Sequence, residues 1–147
     1  MIKRKKLTVE DFMELLQDPE VFFPEELIKV MVPENADKIL ALTDAYSLVD
    51  VYGQVLACCG LVHFWKGRAE AWSVFKPNMG PKFISVAKMI REFLHNHPCE
   101  RIESYISEDF KKGDQWMSFL GFKLEADNLR KYKDNKTYSL YSLIKGD

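Results

Sequence analysis

Hydrophobic positions change their spacing along the 147-residue chain, and each change marks a different kind of element. Residues 1–44 read as a helical front part. The alternation over residues 2–7 is weak and predicts an edge strand at most. Thr8 reads as a helix cap with Asp11 three residues on, an incomplete capping box. Phe12, Leu15 and Leu16 then fall on one helical face. Pro19 and Pro24 bracket a turn, and Pro24 suits the first position of a second helix through Leu27, Ile28 and Met31. Pro33 ends that helix, and Ile39 and Leu42 predict a further turn or two. From Ala45 the period falls to two residues. Leu48 to Tyr52 reads as a strand and Gly53-Gln54 as a two-residue hairpin turn. Val55 to Phe64 is almost continuously apolar, which predicts a central strand buried on both faces. Gly60 inside it predicts a bulge or a close backbone approach. Lys66-Gly67 turns the chain into a third strand, Ala69 to Phe75.

The second half returns to a helical period. Phe83, Val86, Ala87, Ile90 and Leu94 form one apolar stripe, so a helix is predicted from about Pro81 to His95, stopped by Pro98. Arg101 to Ile106 alternates, with Ile102, Ser104 and Ile106 on one face. Strand, helix and strand in succession predict a crossover and local parallel pairing. Ser107 reads as the cap of a last helix carrying Phe110, Trp116, Phe119 and Leu120, ended by Gly121 in a left-handed conformation. Phe122 to Asn128 and Thr137 to Ile144 complete a hairpin around Lys133-Asp134-Asn135-Lys136. The order predicts one α/β (α+β) domain over residues 1–147. Its sheet is mixed and mostly antiparallel, with helices on both faces, and residues 45–144 carry the core.

Composition narrows the function classes. The chain is 47% apolar and 29% charged, as expected of a soluble globular protein. Its net charge of -1 gives no field that would draw it to nucleic acid. The aromatic set Phe64, Trp65, Trp72, Phe75, Trp116 and Phe119 has no basic stripe interleaved with it, so it reads as core and sheet packing rather than a base-stacking surface. No apolar segment follows Lys3 to Lys6, which predicts no secretory signal. No apolar run reaches the roughly 20 residues that span a bilayer. Cys58, Cys59 and Cys99 lack metal spacing and read as buried thiols of a cytoplasmic protein. His63, His95 and His97 lack ligand partners at helical or hairpin intervals, so no metal site is expected.

The element order, closed by Phe119-Leu120-Gly121-Phe122, resembles the GNAT N-acetyltransferase family, whose last helix meets its next strand at such a Gly-Phe corner. The resemblance covers residues 45–144. A narrower one joins LVDVYGQVLACCGL, residues 48–61, with the 119–144 tail. These stretches are similar to GNAT-like proteins of tailed phages, including an internal virion protein of short-tailed coliphages.

The family resemblance implies acetyl-CoA as the acyl donor and a small-molecule or protein amine as the acceptor. The phage resemblance implies a non-catalytic virion or host-interaction protein instead, with other phage proteins as partners; a homo-oligomer is compatible with either. In the family, backbone N–H groups of a Gly-rich loop hold the pyrophosphate at the start of the long helix. Here Gly80 matches the first glycine, Met79 stands in the place of the preceding Arg, and Lys82 replaces the second glycine. Pro81 carries no N–H and removes one donor. Val74 and Phe75 would offer backbone to pantetheine, and Lys76, Gly80 and Lys82 would hold phosphate. The same residues are also consistent with an ordinary helix started by Pro81.

Transfer from a thioester to an amine needs a proton acceptor. Glu70, on the strand before the loop, and His63, on the preceding strand, are the candidates. A solvent-facing glutamate and a satisfied sheet histidine are the alternatives. The family's tyrosine general acid corresponds to Met117, which has no proton to give. Tyr105 and Ser107 are the nearest stand-ins.

Overall fold

The computed structural model describes residues 1–18 and 43–146. The helices expected around Leu27, Ile28 and Met31 and around Ile39 and Leu42 lie outside the described residues, as do Pro19, Pro24 and Pro33. The described elements are β1 (Lys3–Lys6), α1 (Val9–Leu16), β2 (Thr43–Val49), β3 (Val55–Trp65), β4 (Arg68–Phe75), α2 (Lys82–Asn96), β5 (Arg101–Ser107), α3 (Gly113–Leu120), β6 (Lys123–Lys133) and β7 (Lys136–Ile144). The strands form one sheet in the order β1-β2-β3-β4-β5-β7-β6. The β1–β2, β2–β3, β5–β7 and β6–β7 pairs are antiparallel, and β4–β5 is parallel across the α2 crossover. This is the mixed, mostly antiparallel α/β sheet that the spacing predicts. None of the helices among the described residues is long and apolar enough to cross a membrane.

By internal contacts the chain divides into two units, Met1–His63 with Trp72–Met89, and Phe64–Ala71 with Ile90–Asp147. In the first, Thr8 Oγ1 accepts the Asp11 N–H at 3.2 Å, the predicted cap. That start aims the α1 stripe inward, and Phe12 and Leu15 join Leu7, Ala45, Val55, Cys58 and Val74 in one cluster. Burying a side chain of this kind contributes roughly 1.5–3 kcal/mol. The polar side of α1 is also tied to the sheet: Ser47 Oγ donates to Asp11 and the Val55 N–H to Glu14, each at 2.9 Å. A methyl group on Gly60 would lie 2.7 Å from the Asp44 carbonyl oxygen, which is the predicted close approach. The strand expected at Leu48 to Tyr52 is displaced. It runs Thr43–Val49, because the Asp50 side chain and backbone bind residues 52–54 and close a longer turn.

In the second unit, Asp134 (φ 52°) and Asn135 (φ 58°) both lie in the left-handed region and make a two-residue turn within the hairpin predicted around Lys133-Asp134-Asn135-Lys136. β6 is longer than expected and shifts register against β7 three times, with left-handed Asn128 and Lys131 among the shifted residues. Ser107 does not cap α3. Its hydroxyl accepts the Asp109 N–H at 3.2 Å, Phe110 sits in the turn that follows, and the helix begins at Gly113. Gly121 ends it in the left-handed region, as predicted. Packing of the whole aromatic set does not hold at the end of β3, where Phe64 is 44% and Trp65 62% exposed. The Arg68 guanidinium lies over both rings, at 4.9 and 4.7 Å.

Candidate functional site

The predicted loop joins the end of β4 to the start of α2. Phe75 packs on Phe83 with ring centroids 5.4 Å apart, which fixes the two ends of the loop. Val74 is buried in the first unit's core, and the Lys76 N–H donates to Leu56 O at 2.8 Å. Gly80 has φ 62°, and a methyl group there would meet nothing within 4 Å, so the backbone is open to close approach. The donors are fewer than a Gly-rich loop would give. The Phe83 and Ile84 N–H groups bind Gly80 O and Pro81 O, at 3.1 and 3.3 Å, and Pro81 has none to offer. What remains attractive to an anion is the positive end of the 15-residue α2, with no acid in its first turn, and the Lys82 ammonium.

That ammonium is not isolated. Lys82 Nζ lies 3.5 Å from Oδ2 of Asp50, a buried residue. The other oxygen, Oδ1, accepts the N–H groups of Tyr52 and Gln54 at 2.9 and 3.0 Å. Burial pushes the Asp50 carboxyl up, but those two hydrogen bonds and Lys82 outweigh it and hold it below its ordinary value.

Glu70 sits half-buried on β4, opposite Glu103 in the parallel ladder. The ladder contains three pairs, from Arg68–Arg101 to Glu70–Glu103, while β4 continues to Phe75. Glu103 is buried and held as an anion. Arg68 Nε lies 3.0 and 2.9 Å from its two oxygens, Arg68 Nη2 2.7 Å from one, and Arg101 Nε 2.9 Å from the other. The Arg68 bonds, and then those of Arg101, keep its carboxyl below the usual range against the effect of burial. Arg101 also reaches Glu125 at 2.7 Å.

Among the expected proton carriers, His63 Nε2 pairs with Asp44 at 2.7 Å, with both side chains partly exposed. His63 belongs to the first unit and Glu70 to the second. Met117 is buried in α3. Ser107 is occupied by the Asp109 N–H, and Tyr105 stacks on Tyr132 with centroids 4.9 Å apart. Burial, followed by the Tyr105 hydrogen bond, pushes the Tyr132 hydroxyl up. Tyr141 donates to Asp114 at 2.9 Å, and burial with that bond raises it to about 12. Burial likewise pushes the Cys58 and Cys59 thiols to about 12, which keeps them inert as nucleophiles.

Sequence reasoning missed Asp50 and the Arg68–Glu103–Arg101 cluster. Asp50 carried a local signal, since an Asp that opens a Gly-containing turn, here Asp50-Val51-Tyr52-Gly53-Gln54, often accepts the turn's own N–H groups. Glu103 carried only alternation with Ile102 and Ser104; Arg101 lies two residues away on the same strand, but the main partner, Arg68, is 35 residues away in sequence.

No protein-family model and no curated protein matches the chain. Solved structures do. A single-site mutant of the spermidine N-acetyltransferase SpeG from Vibrio cholerae superposes with a TM-score of 0.75 at 13% identity, covering 97% of this chain and 93% of that one. A dodecameric structure of the Vibrio cholerae enzyme in an intermediate state gives 0.71 at 12% identity, over 97% and 93% of the two chains. A chimera of SpeG and hSSAT gives 0.73 at 13% identity, over 97% and 95%. At such low identity the likeness speaks to architecture, and the architecture is the GNAT N-acetyltransferase fold.

Proposed function

We propose that the chain is an acetyl-CoA-dependent N-acetyltransferase acting on an amine, with a pyrophosphate loop reduced in backbone donors. The observation that carries this reading is the loop between β4 and α2, on a fold shared with amine acetyltransferases. Gly80 is left-handed and sterically open, and Lys82 stands at the positive end of a long helix. Acetyl-CoA fits that surface, and when bound it supplies the activated acyl group as a thioester. Lys82 and Lys76 hold the phosphates as point charges, a substitute for the N–H that Pro81 lacks. Val74 and Phe75 offer backbone to the pantetheine arm. Glu70 accepts the amine proton through an ordered water, and His63 is the second candidate for that task.

A second reading has its own support. Pro81 and the buried Met117 both remove groups that acetyl transfer uses, which suits a non-catalytic protein that keeps the fold, such as a phage virion or host-interaction protein. Calorimetry and a thermal melt with acetyl-CoA separate the two. The enzyme reading expects about 2.7 kcal/mol of stabilisation at a hundredfold excess over the dissociation constant. Gly80→Glu should abolish it while leaving the far-UV spectrum unchanged, and thiol release should appear with an amine panel that includes spermidine. Absence of any shift at millimolar acetyl-CoA rejects the enzyme.

A further inference from the structure

We infer that Asp50 is the resident counter-anion of the β4–α2 loop: it holds Lys82 until an anionic ligand on the loop takes that ammonium over. The inference rests on the acetyl-CoA reading of the loop. It starts from an imbalance within one carboxylate. Oδ1 is fully engaged by the Tyr52 and Gln54 N–H groups, at 2.9 and 3.0 Å. Oδ2 has one partner among the described residues, Lys82 Nζ, at the long distance of 3.5 Å. The Asp50 side chain is only 5% exposed, whereas that of Lys82 is 51% exposed. A carboxylate this buried cannot follow its partner, but the lysine can turn outward.

The placement matters because a lysine at the first position of a helix is electrostatically unfavourable. Asp50 offsets that cost from the β2–β3 turn. A phosphate at the helix start would bring a second anion to the same ammonium, close to a fixed negative charge. Binding therefore has two opposing parts on one ammonium, attraction of the ligand to Lys82 and loss of the Asp50–Lys82 pair. Asp50 acts through Lys82 and is a positioning residue for the ligand's charge, with no contact to the reacting atoms required.

The test is acetyl-CoA titration by calorimetry on wild type, Asp50→Asn, Lys82→Gln and the double variant, with melts to verify folding. Asn keeps an oxygen for both N–H groups and removes only the charge, and Asp50→Ser is a second variant that also retains an acceptor. The expected result is about two- to fivefold tighter binding for Asp50→Asn, the size of one partly exposed charge pair, and weaker binding for Lys82→Gln. The gain should vanish in the double variant. Unchanged or weaker binding in Asp50→Asn, with wild type still binding, overturns the inference and leaves the acetyl-CoA reading standing. A gain that survives in the double variant overturns the role of Lys82. If no variant and no wild type binds, the acetyl-CoA reading itself fails and takes the inference with it.

Discussion

Asp50 and Glu103 are both carboxylates withdrawn from water, and both face cations, yet the second unit fixes its acid in a way the first does not. Glu103 is gripped by two guanidinium groups in four contacts of 3.0 Å or less. Arginine's planar fork suits that geometry, so the cluster is rigid and directional. Asp50 meets one flexible lysine at 3.5 Å and satisfies its other oxygen with backbone N–H groups. The first arrangement holds strands together. The second leaves a charge that can change partner. The difference separates an ion cluster with every member fixed from a pair whose half-exposed lysine can turn away from its acid, although both hold their acids ionised.

The largest test of that contrast is Glu103→Gln. It leaves Arg68 and Arg101 facing a neutral amide in a buried position and should cost about 3 kcal/mol of stability. Urea unfolding at neutral pH reads it directly, and a loss under about 1 kcal/mol would place Glu103 with Asp50 as a loosely held acid.

Acid provides the next test. Both carboxyls are held below their ordinary values of 4.5 for Glu103 and 3.8 for Asp50. The stability they contribute is therefore complete above those values and is lost as pH falls through the lower folded ones. The gap between wild type and Glu103→Gln should close as the pH drops below about 4.5, because a protonated Glu103 resembles the amide. Asp50→Asn, which retains its backbone contacts, should give the smaller gap throughout. Urea midpoints from pH 7 to pH 3 measure both. A Glu103 gap independent of pH would mean that shape, not charge, is what the arginines recognise.

The smallest expected effect belongs to the loop. Gly80→Ala meets no atom within 4 Å and pays only for its left-handed φ of 62°. That should cost about 1 kcal/mol in a thermal or urea melt. A loss as large as that of Glu103→Gln would show that the loop is built as tightly as the ion cluster.

Much of this was legible in the chain. Phe12, Leu15 and the Thr8 cap gave α1, the stripe from Phe83 to Leu94 gave α2, and the Asp134-Asn135 turn announced the last hairpin. These are local patterns, set by spacing and by turn chemistry. The errors arose where a side chain replaced a regular element. Asp50 read as one residue of a strand because its neighbours Val49 and Val51 are β-branched, but its carboxylate captures two N–H groups and ends the strand early. Ser107 had the right identity for a helix cap and spent its hydroxyl on a turn instead. Glu103 looked like the polar side of an alternating strand, and its burial depends on Arg68, which no local window contains. For the candidate site, Gly80, Pro81 and Lys82 were readable as a loop before a helix. The charge that opposes Lys82 was not, because it arrives from a separate turn.

The irregular β6 has a consequence of its own. It is the terminal strand of the sheet, where a regular ladder would offer another chain a row of evenly spaced donors and acceptors. Three register shifts and the left-handed Asn128 and Lys131 break that row into short, misaligned pieces, and Arg130, Lys131 and Lys133 add charge along it. At this edge a second chain meets no continuous row to pair with, so the bulges blunt one of the sheet's two terminal strands.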